Sequence, residues 1–338
     1  MSELNRQERL AILIETGQAL SQEIPVSVIS SAIASNLWFT KDSIAMAVSA
    51  IVENYLNEEA LTEWMHSYPE PHDGPKKVGL ILAGNIPLVG IQDVISVFAS
   101  GHKSIIKLSE RDSVLMNYFL SLIMEIDPRC ESYFEKVERL TDYDAVIATG
   151  SNTSARYFEK YFGSVPHIIR KNRNGVAVVY KDSTDEQMQE LAHDILGHYG
   201  LGCRNVSKVY LEEGVELGKV FEALEDLKTI KHHNKYMNNY DYSYALYLLN
   251  EEEFYTNDYL IMRPHKSLGS RIACLHYEYF TDATLLSNQI EEIKEEIQCI
   301  VSDRPLSNLA ILPFGKGQSP RLTDYADGVD TMAFLSKV

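Results

Sequence analysis

The sequence predicts a doubly wound α/β fold, in which parallel strands alternate with helices along the chain. Short apolar runs at 78–83 and 145–148 have the texture of strands buried on both faces of a parallel sheet. Helix-like segments at 88–100 and 113–127 separate such runs. Residues 1 to about 65 show helical periodicity without strand-like alternation, so we expect helices before the first strand.

The rest of the chain continues this alternation and predicts a second α/β domain beginning near residue 184. An amphipathic helix over 185–199 ends at Gly200. The other predicted strands are 104–108, 167–169, 176–180, 244–249, 272–275 and 297–301, and the other predicted helices are 153–162, 215–235 and 282–296.

Composition excludes several classes of partner. Among 338 residues, 45% are hydrophobic and the formal net charge is -17, which argues against general binding to nucleic acid or to an anionic membrane surface. No apolar stretch approaches the ~20 residues of a membrane span, and the first residues lack a secretory pattern. The four cysteines lack metal-ligand spacing, so we expect no metal and reduced thiols in a cytoplasmic protein.

Cys203 is the candidate nucleophile. It lies in the run Gly200-Leu201-Gly202-Cys203-Arg204-Asn205, where small residues leave a side chain room to project and the Arg204 guanidinium would favour the thiolate. The alternative is a simply buried cysteine, but a Gly-x-Gly loop beside an arginine is a poor place to bury one. Cys130, Cys274 and Cys299 have helix-like or strand-like surroundings and are interpreted as structural.

Three strand ends carry further candidate site residues. Asn85, in Gly84-Asn85-Ile86-Pro87, is either a turn asparagine or an amide that stabilises an oxyanion at the sheet edge. Lys107 and Glu110 either bracket a ribose or form a surface charge pair. Gly150 and Ser151 either approach a phosphate or simply cap a helix.

The densest basic run is Arg170-Lys171-Asn172-Arg173. Arg170, Lys171 and Arg173, with Arg204, are candidate contacts for a substrate or a phosphate. The alternative is that the run keeps a sheet edge soluble.

In their order along the chain, these motifs resemble the aldehyde dehydrogenase superfamily. The resemblance makes Asn85 the oxyanion amide and Cys203 the nucleophile, and it gives Lys107, Glu110, Gly150 and Ser151 to a nicotinamide dinucleotide. Leu312-Pro313-Phe314-Gly315 is similar to the C-terminal Pro-Phe-Gly turn of that superfamily. The domains it implies are 1–183, with N-terminal helices and an NAD(P)-binding domain from about 76, a catalytic domain at 184–312 carrying Cys203, and a C-terminal segment at 313–338 that returns to the core.

Two departures narrow the resemblance. Aldehyde-oxidising members carry a glutamate about 30 residues before the cysteine, which activates water, whereas this chain has the basic run there. The late Glu-x-Phe-Gly run that holds the nicotinamide ribose is matched only by Lys266-Ser267-Leu268-Gly269, which lacks the acid.

More narrowly, the chain resembles the LuxC-type acyl-CoA reductases. This resemblance is carried by the runs around Asn85, at 167–174 and at 200–207.

This narrower resemblance implies reduction of a long-chain fatty acyl-CoA to the aldehyde through a thioester on Cys203. It favours NADPH over NADH, although the Glu110 carboxylate would disfavour a 2′-phosphate unless Lys107 and Arg111 offset it. It also implies a homo-oligomer or a subunit of a fatty acid reductase complex. Two alternatives stay open, namely a reductase of an acyl phosphate or a short acyl-CoA, and a non-catalytic subunit that binds an acyl group or a nucleotide.

Overall fold

The computed structural model describes residues 3–70, 74–307 and 309–338. The chain divides into two compact units, the first formed by Met1–Asn172 with Pro320–Val338 and the second by Arg173–Ser319. The described residues of each unit contain one sheet, five-stranded in the first and six-stranded in the second. This arrangement confirms the predicted α/β class.

The first unit places helices before, between and after the strands of its sheet. Its helices are α1 (Arg6–Leu20), α2 (Val26–Ser35), α3 (Lys41–Asn54), α4 (Glu58–His66), α5 (Ile91–Ala99), α6 (Ser113–Ile126), α7 (Asn152–Phe162) and the C-terminal α12 (Thr331–Leu335). Its strands are β1 (Lys77–Ile81), β2 (Lys103–Lys107), β3 (Phe134–Lys136), β4 (Ala145–Thr149) and β5 (His167–Arg170).

The sheet of the first unit has the order β3-β2-β1-β4-β5, and every neighbouring pair is parallel. Because β2 lies on one side of β1 and β4 on the other, the direction of winding reverses between β1 and β4. In open parallel sheets, such a reversal leaves a crevice at the carboxyl ends of the strands. Val78 and Leu80 of β1 and the apolar side chains of β4 are buried, as predicted for a sheet covered on both faces.

The second unit begins with a strand that the sequence pattern assigns to the preceding domain. Its strands are β6 (Asn174–Val179), β7 (Val206–Glu212), β8 (Tyr255–Thr256), β9 (Ile261–Pro264), β10 (Cys274–Phe280) and β11 (Ile297–Ser302), in the order β11-β6-β7-β10-β9-β8. Its helices are α8 (Asp185–Leu196), α9 (Leu217–Ala223), α10 (Asn234–Leu249) and α11 (Ala283–Glu292). Since β6 pairs with β7 and β11, the structure divides the chain at 172/173 rather than near 183.

The predicted strand at 244–249 is wrong, because these residues form the last turns of α10. Tyrosine favours strands, and the run is rich in tyrosine. However, Tyr236, Tyr240, Ser243 and Tyr247 are buried at helical spacing, so packing along one helix face decides the conformation.

A buried polar network ties the C-terminal segment to the helices of the first unit. Trp64 Nε1 donates to the Tyr325 hydroxyl at 2.6 Å, and the Tyr68 hydroxyl lies 2.9 Å from the same oxygen. The Tyr68 hydroxyl also donates to Asp330 Oδ2 at 2.8 Å. None of the helices in the described part of the chain is long and apolar enough to cross a membrane.

Replacing Tyr325 by phenylalanine should lower the free energy of unfolding by about 1–3 kcal/mol, because the Trp64 N–H would remain buried without an acceptor. Urea unfolding of Y325F and wild type measures the difference. Tyr161, which is 65% exposed on α7, provides the control, and Y161F should unfold like wild type. Equal stability of Y325F and wild type would contradict a role for the network.

Candidate functional site

In the first unit, four of the predicted site residues lie at one edge of the sheet. Asn85 follows β1, Lys107 is the last residue of β2, and Gly150 and Ser151 follow β4. Because these parallel strands end at the same edge, the residues flank the crevice between β1 and β4 or border it from β2. The structure therefore brings these four candidate residues to one edge of the sheet.

Two side chains from other elements hold the ends of the loop that carries Asn85. Asn36 Nδ2 donates to the Gly84 carbonyl at 3.3 Å, and the Leu88 N–H donates to Asp112 Oδ2 at 2.8 Å. Leu88 has a φ of 55°, in the left-handed region that a branched residue adopts only when its surroundings enforce it. Asn85 is half-buried and lies in a loop that these hydrogen bonds hold at both ends.

Asp112 is a site residue that sequence reasoning missed. The side chain is 4% exposed, and its Oδ1 has no hydrogen-bond partner among the described residues. Burial raises the pKa of this carboxyl to about 8, against the effect of the Leu88 N–H. Asp112 is therefore protonated at neutral pH, and its position before α6 resembles an ordinary helix cap in the sequence.

Three of the four predicted cofactor residues at this edge are exposed to solvent. Lys107, Glu110 and Ser151 are exposed, and Gly150 is half-buried. Ser151 caps α7, accepting the Ser154 N–H at 3.2 Å, so the capping interpretation is confirmed. The exposed N-terminus of α7 still offers N–H groups and a positive helix end to an anion.

The basic side chains of the run 170–173 each have partners of their own. Arg170 is 5% exposed and pairs with Asp93 at 2.5 Å and with Thr331 Oγ1 at 3.0 Å. This buried pair occupies its guanidinium within the first unit, which corrects the interpretation of Arg170 as a phosphate ligand. Lys171 is exposed and pairs with Glu159 at 2.9 Å. Arg173 belongs to the second unit, where it contacts Glu295 and the Ile297 carbonyl.

In the second unit, Cys203 lies in a tight turn between a short 3-10 segment, Gly197–Gly200, and β7. The Asn205 N–H donates to the Gly202 carbonyl at 3.1 Å, so Cys203 is the second residue of a hydrogen-bonded four-residue turn. Cys203 and Arg204 are half-buried, whereas Cys130, Cys274 and Cys299 are buried. Burial raises the pKa of the Cys130 and Cys299 thiols to about 12, so both stay protonated.

A left-handed segment precedes this turn. His198, Tyr199 and Gly200 have φ values of 46°, 59° and 73°, and a non-glycine residue in this region costs roughly 1–2 kcal/mol. The Tyr199 ring packs against His233 with centroids 4.1 Å apart and the ring planes tilted by 34°. His198 is buried, and burial lowers its pKa to about 4, so its imidazole is neutral. The sequence offered no signal for this strained segment beyond Gly200.

The cysteine turn packs closely against residues of the strands β6 and β11. The Gly175 N–H donates to the Asn205 carbonyl at 3.1 Å, and Cys299 Sγ donates to the Arg204 carbonyl at 3.4 Å. A side-chain carbon at position 175 would lie 2.5 Å from the Arg204 carbonyl oxygen. Only glycine at 175 therefore allows the turn to approach β6 this closely.

The late Pro-Phe-Gly turn also packs at the end of α8. Asp194 is fully buried and accepts the N–H groups of Gly315 at 2.7 Å and Gly317 at 2.9 Å. Burial raises the pKa of Asp194 to about 6 against these two hydrogen bonds. The described residues contain no group of three or more His, Cys, Asp or Glu side chains that would hold a metal ion.

Comparisons with known proteins establish the fold. No protein-family model matches the chain. No curated protein matches it either. The structure resembles an NAD-dependent aldehyde dehydrogenase from Sinorhizobium meliloti with a TM-score of 0.65 and 13% identity, over 88% of this chain and 70% of that one.

Two further solved structures lead to the same conclusion. The aldehyde dehydrogenase KauB from Pseudomonas aeruginosa gives a TM-score of 0.63 and 15% identity over 90% of this chain and 73% of its own. Aldehyde dehydrogenase 21 from Physcomitrella patens gives a TM-score of 0.61 and 10% identity, over 99% of this chain and 89% of its own. The chain therefore has the aldehyde dehydrogenase fold, as the resemblance implied.

Asp112→Asn should remove a pH dependence of stability. A buried carboxyl whose pKa is raised from 3.8 to about 8 contributes stability that is fully present below 3.8 and is lost as the pH rises through 8. An amide can still accept the Leu88 N–H without titrating. Urea unfolding at pH 5, 7 and 9 should show wild type losing stability relative to D112N.

The matched control for this series is Asp282→Asn, at the exposed start of α11, which should show no such trend. A constant difference between wild type and D112N from pH 5 to 9 would contradict the assignment of a raised pKa to Asp112.

Gly175→Ala should destabilise the second unit by about 1–3 kcal/mol, because the new methyl group would press on the carbonyls of the cysteine turn. Gly218→Ala, within α9 and with no atom inside 4 Å of the added carbon, is the control and should be neutral or stabilising by up to about 1 kcal/mol. Urea unfolding measures both changes, and a G175A protein as stable as G218A would refute the close approach.

Proposed function

We infer that the protein is an NAD(P)H-dependent reductase of long-chain fatty acyl-CoA that acts through a thioester on Cys203. The observation that carries this proposal is the basic run 170–173, which begins at the last residue of β5 and leads into β6. Aldehyde-oxidising members of the superfamily that the chain resembles have a glutamate in the corresponding stretch to activate water, and its absence here favours acyl transfer or reduction over hydrolysis. The aldehyde dehydrogenase fold supports the assignment to the same broad chemistry.

The contacts of the basic run support poor activation of water. Arg170 is committed to Asp93, while Lys171 pairs with Glu159 and its N–H lies 3.3 Å from Asp327 Oδ2. Each of these three carboxylates is therefore engaged by a residue of the run. An acyl group on Cys203 would then persist until it is reduced or returned to a thiol.

The chain's own residues would carry out the acyl transfer. The Cys203 thiolate forms a bond to the thioester carbon while the bond to the sulfur of coenzyme A breaks, and coenzyme A leaves as a thiolate. The resemblance assigns the stabilisation of the oxyanion to the Asn85 amide and the Cys203 N–H, and one such donor contributes roughly 3–4 kcal/mol in well-studied enzymes. The fixed loops on which both residues lie suit this task, because preorganised donors need no reorganisation.

A nicotinamide dinucleotide fits the edge of the first sheet. Lys107 and Glu110 would contact its adenosine ribose, and Gly150 and Ser151 its pyrophosphate at the start of α7. The exposure of Lys107, Glu110 and Ser151 supports this fit, as does the NAD dependence stated for the Sinorhizobium protein. The reduced nicotinamide supplies the hydride when bound. The resemblance favours NADPH, and Lys107 with Arg111 would balance the Glu110 charge near a 2′-phosphate.

The test separates acylation from reduction. Wild type incubated with palmitoyl-CoA alone should gain the mass of one acyl group on Cys203 and keep it, because water is poorly activated. With NADPH or NADH added, it should oxidise the cofactor and form the aldehyde. Cys203→Ala should abolish both reactions, whereas Cys130→Ala, which changes a buried cysteine of the first unit, should retain them.

The outcomes discriminate between the alternatives. Acylation of Cys203 without aldehyde under any cofactor would indicate a non-catalytic acyl-binding subunit. Faster turnover of an acyl phosphate or of acetyl-CoA than of palmitoyl-CoA would show that long-chain acyl-CoA is not the preferred substrate. Rapid hydrolysis of the acyl-enzyme would overturn the argument from the basic run, and full activity of C203A would refute the nucleophile.

A further inference from the structure

Asn205 follows the cysteine turn and is 3% exposed. Its side-chain oxygen accepts the Gly202 N–H at 2.8 Å. Its side-chain nitrogen donates to the Gly197 carbonyl at 2.7 Å and to the Asp194 carbonyl at 3.1 Å, with the Ile195 carbonyl at 3.4 Å. One buried amide thus connects the turn that contains Cys203 to the end of α8.

These contacts satisfy backbone groups that have few other partners. The last carbonyls of a helix lack an intrahelical donor, and the left-handed residues 198–200 that follow α8 prevent further helical hydrogen bonds. The Asn205 amide supplies donors to these carbonyls and an acceptor to the Gly202 N–H. An unpaired buried amide or carbonyl costs about 1–3 kcal/mol, so the side chain and the loop conformation specify each other.

The backbone of Asn205 adds two further restraints. Its N–H closes the turn on the Gly202 carbonyl at 3.1 Å, and its carbonyl accepts the Gly175 N–H of β6 at 3.1 Å. The residues on both sides of Cys203 and Arg204 are therefore fixed to one another, to α8 and to the sheet. This leaves little freedom for the orientation of the Cys203 N–H relative to the Cα–Cβ bond that carries the thiol.

We propose that Asn205 is a positioning residue, which holds the Cys203 thiol and the Cys203 N–H in the mutual orientation needed to attack a carbonyl. The inference rests on the proposed function in taking Cys203 as the nucleophile. It adds that an amide, with both a donor and an acceptor, is required at position 205. Acylation of Cys203 needs that orientation, because the N–H must face the developing oxyanion. Simple alkylation of the same sulfur needs only the thiolate.

The test compares two reactions of Cys203 in one protein. p-Nitrophenyl acetate transfers its acetyl group to the sulfur and releases p-nitrophenolate, whereas iodoacetamide alkylates the sulfur and releases iodide. The ratio of the two rates cancels the thiolate fraction, because both reagents consume the thiolate. C203A provides the background, and mass spectrometry identifies the modified cysteine.

Asn205→Ala should lower the acylation-to-alkylation ratio about tenfold or more. This corresponds to a rise of about 1.4 kcal/mol in the activation free energy of acylation relative to that of alkylation. Ser302→Ala is the matched control, because it removes another buried side-chain-to-backbone hydrogen bond of the second unit, from Ser302 Oγ to the Val178 carbonyl at 3.0 Å. Its ratio should equal that of wild type. A merely structural role for Asn205 would change the ratio no more in N205A than in S302A.

Asn205→Asp tests the need for the donor. Its carboxylate can accept the Gly202 N–H but cannot donate to the α8 carbonyls, whereas its protonated form can do both. The ratio for N205D, relative to wild type, should therefore rise as the pH falls from 8 to 5, while that of any folded N205A protein stays low. If N205A does not fold, the N205D profile decides, and a profile that is flat at the wild-type value overturns the proposal.

The two failures are distinguishable. Absence of aldehyde from every acyl-CoA would refute the proposed function, yet the ratio would still report on Asn205 because neither reagent contains coenzyme A. A wild-type Cys203 that p-nitrophenyl acetate does not acylate would overturn the positioning role directly.

Discussion

The second unit depends on how the chain satisfies its backbone polar groups between α8 and β7. This segment has to leave a helix, pass through left-handed residues and enter a buried strand over a short distance. Asn205 pairs the carbonyls at the end of α8, and Gly175 lets the turn lie against β6. Because both contacts involve backbone atoms, they fix the conformation around Cys203 and not merely its location.

In the first unit, hydrogen bonds from side chains to the backbone also hold a loop, namely the one that carries Asn85. Asn36 and Asp112 hold the segment that follows β1, one from each end, and Asn85 lies between these two contacts. Burying Asp112 raises its pKa, so the loop is anchored by a neutral carboxyl that accepts one N–H. In both units, a polar side chain from a separate position keeps a candidate catalytic loop in one conformation.

Charge is used differently in the two parts of the basic run. Arg170 is paired with Asp93 inside the first unit, where its charge contributes to the fold, and the exposed Lys171 engages carboxylates of the same unit. The run therefore supplies no carboxylate for water activation, and its buried arginine is not available for a phosphate. The proposed chemistry follows from what these side chains are already bound to, as much as from their residue types.

The sequence by itself determined the α/β class, and it selected the candidate residues at the ends of β1, β2 and β4 and the candidate nucleophile Cys203, because strand periodicity and glycine-rich turns are properties of neighbouring residues. It did not determine the helix at 244–249, the pairing of Arg170, or the roles of Asp112, Gly175 and Asn205. Arg170 meets Thr331 across 161 positions, and Asp112 meets Leu88 across 24. Such contacts depend on which distant segments the folded chain brings together, so only the tertiary structure decides them.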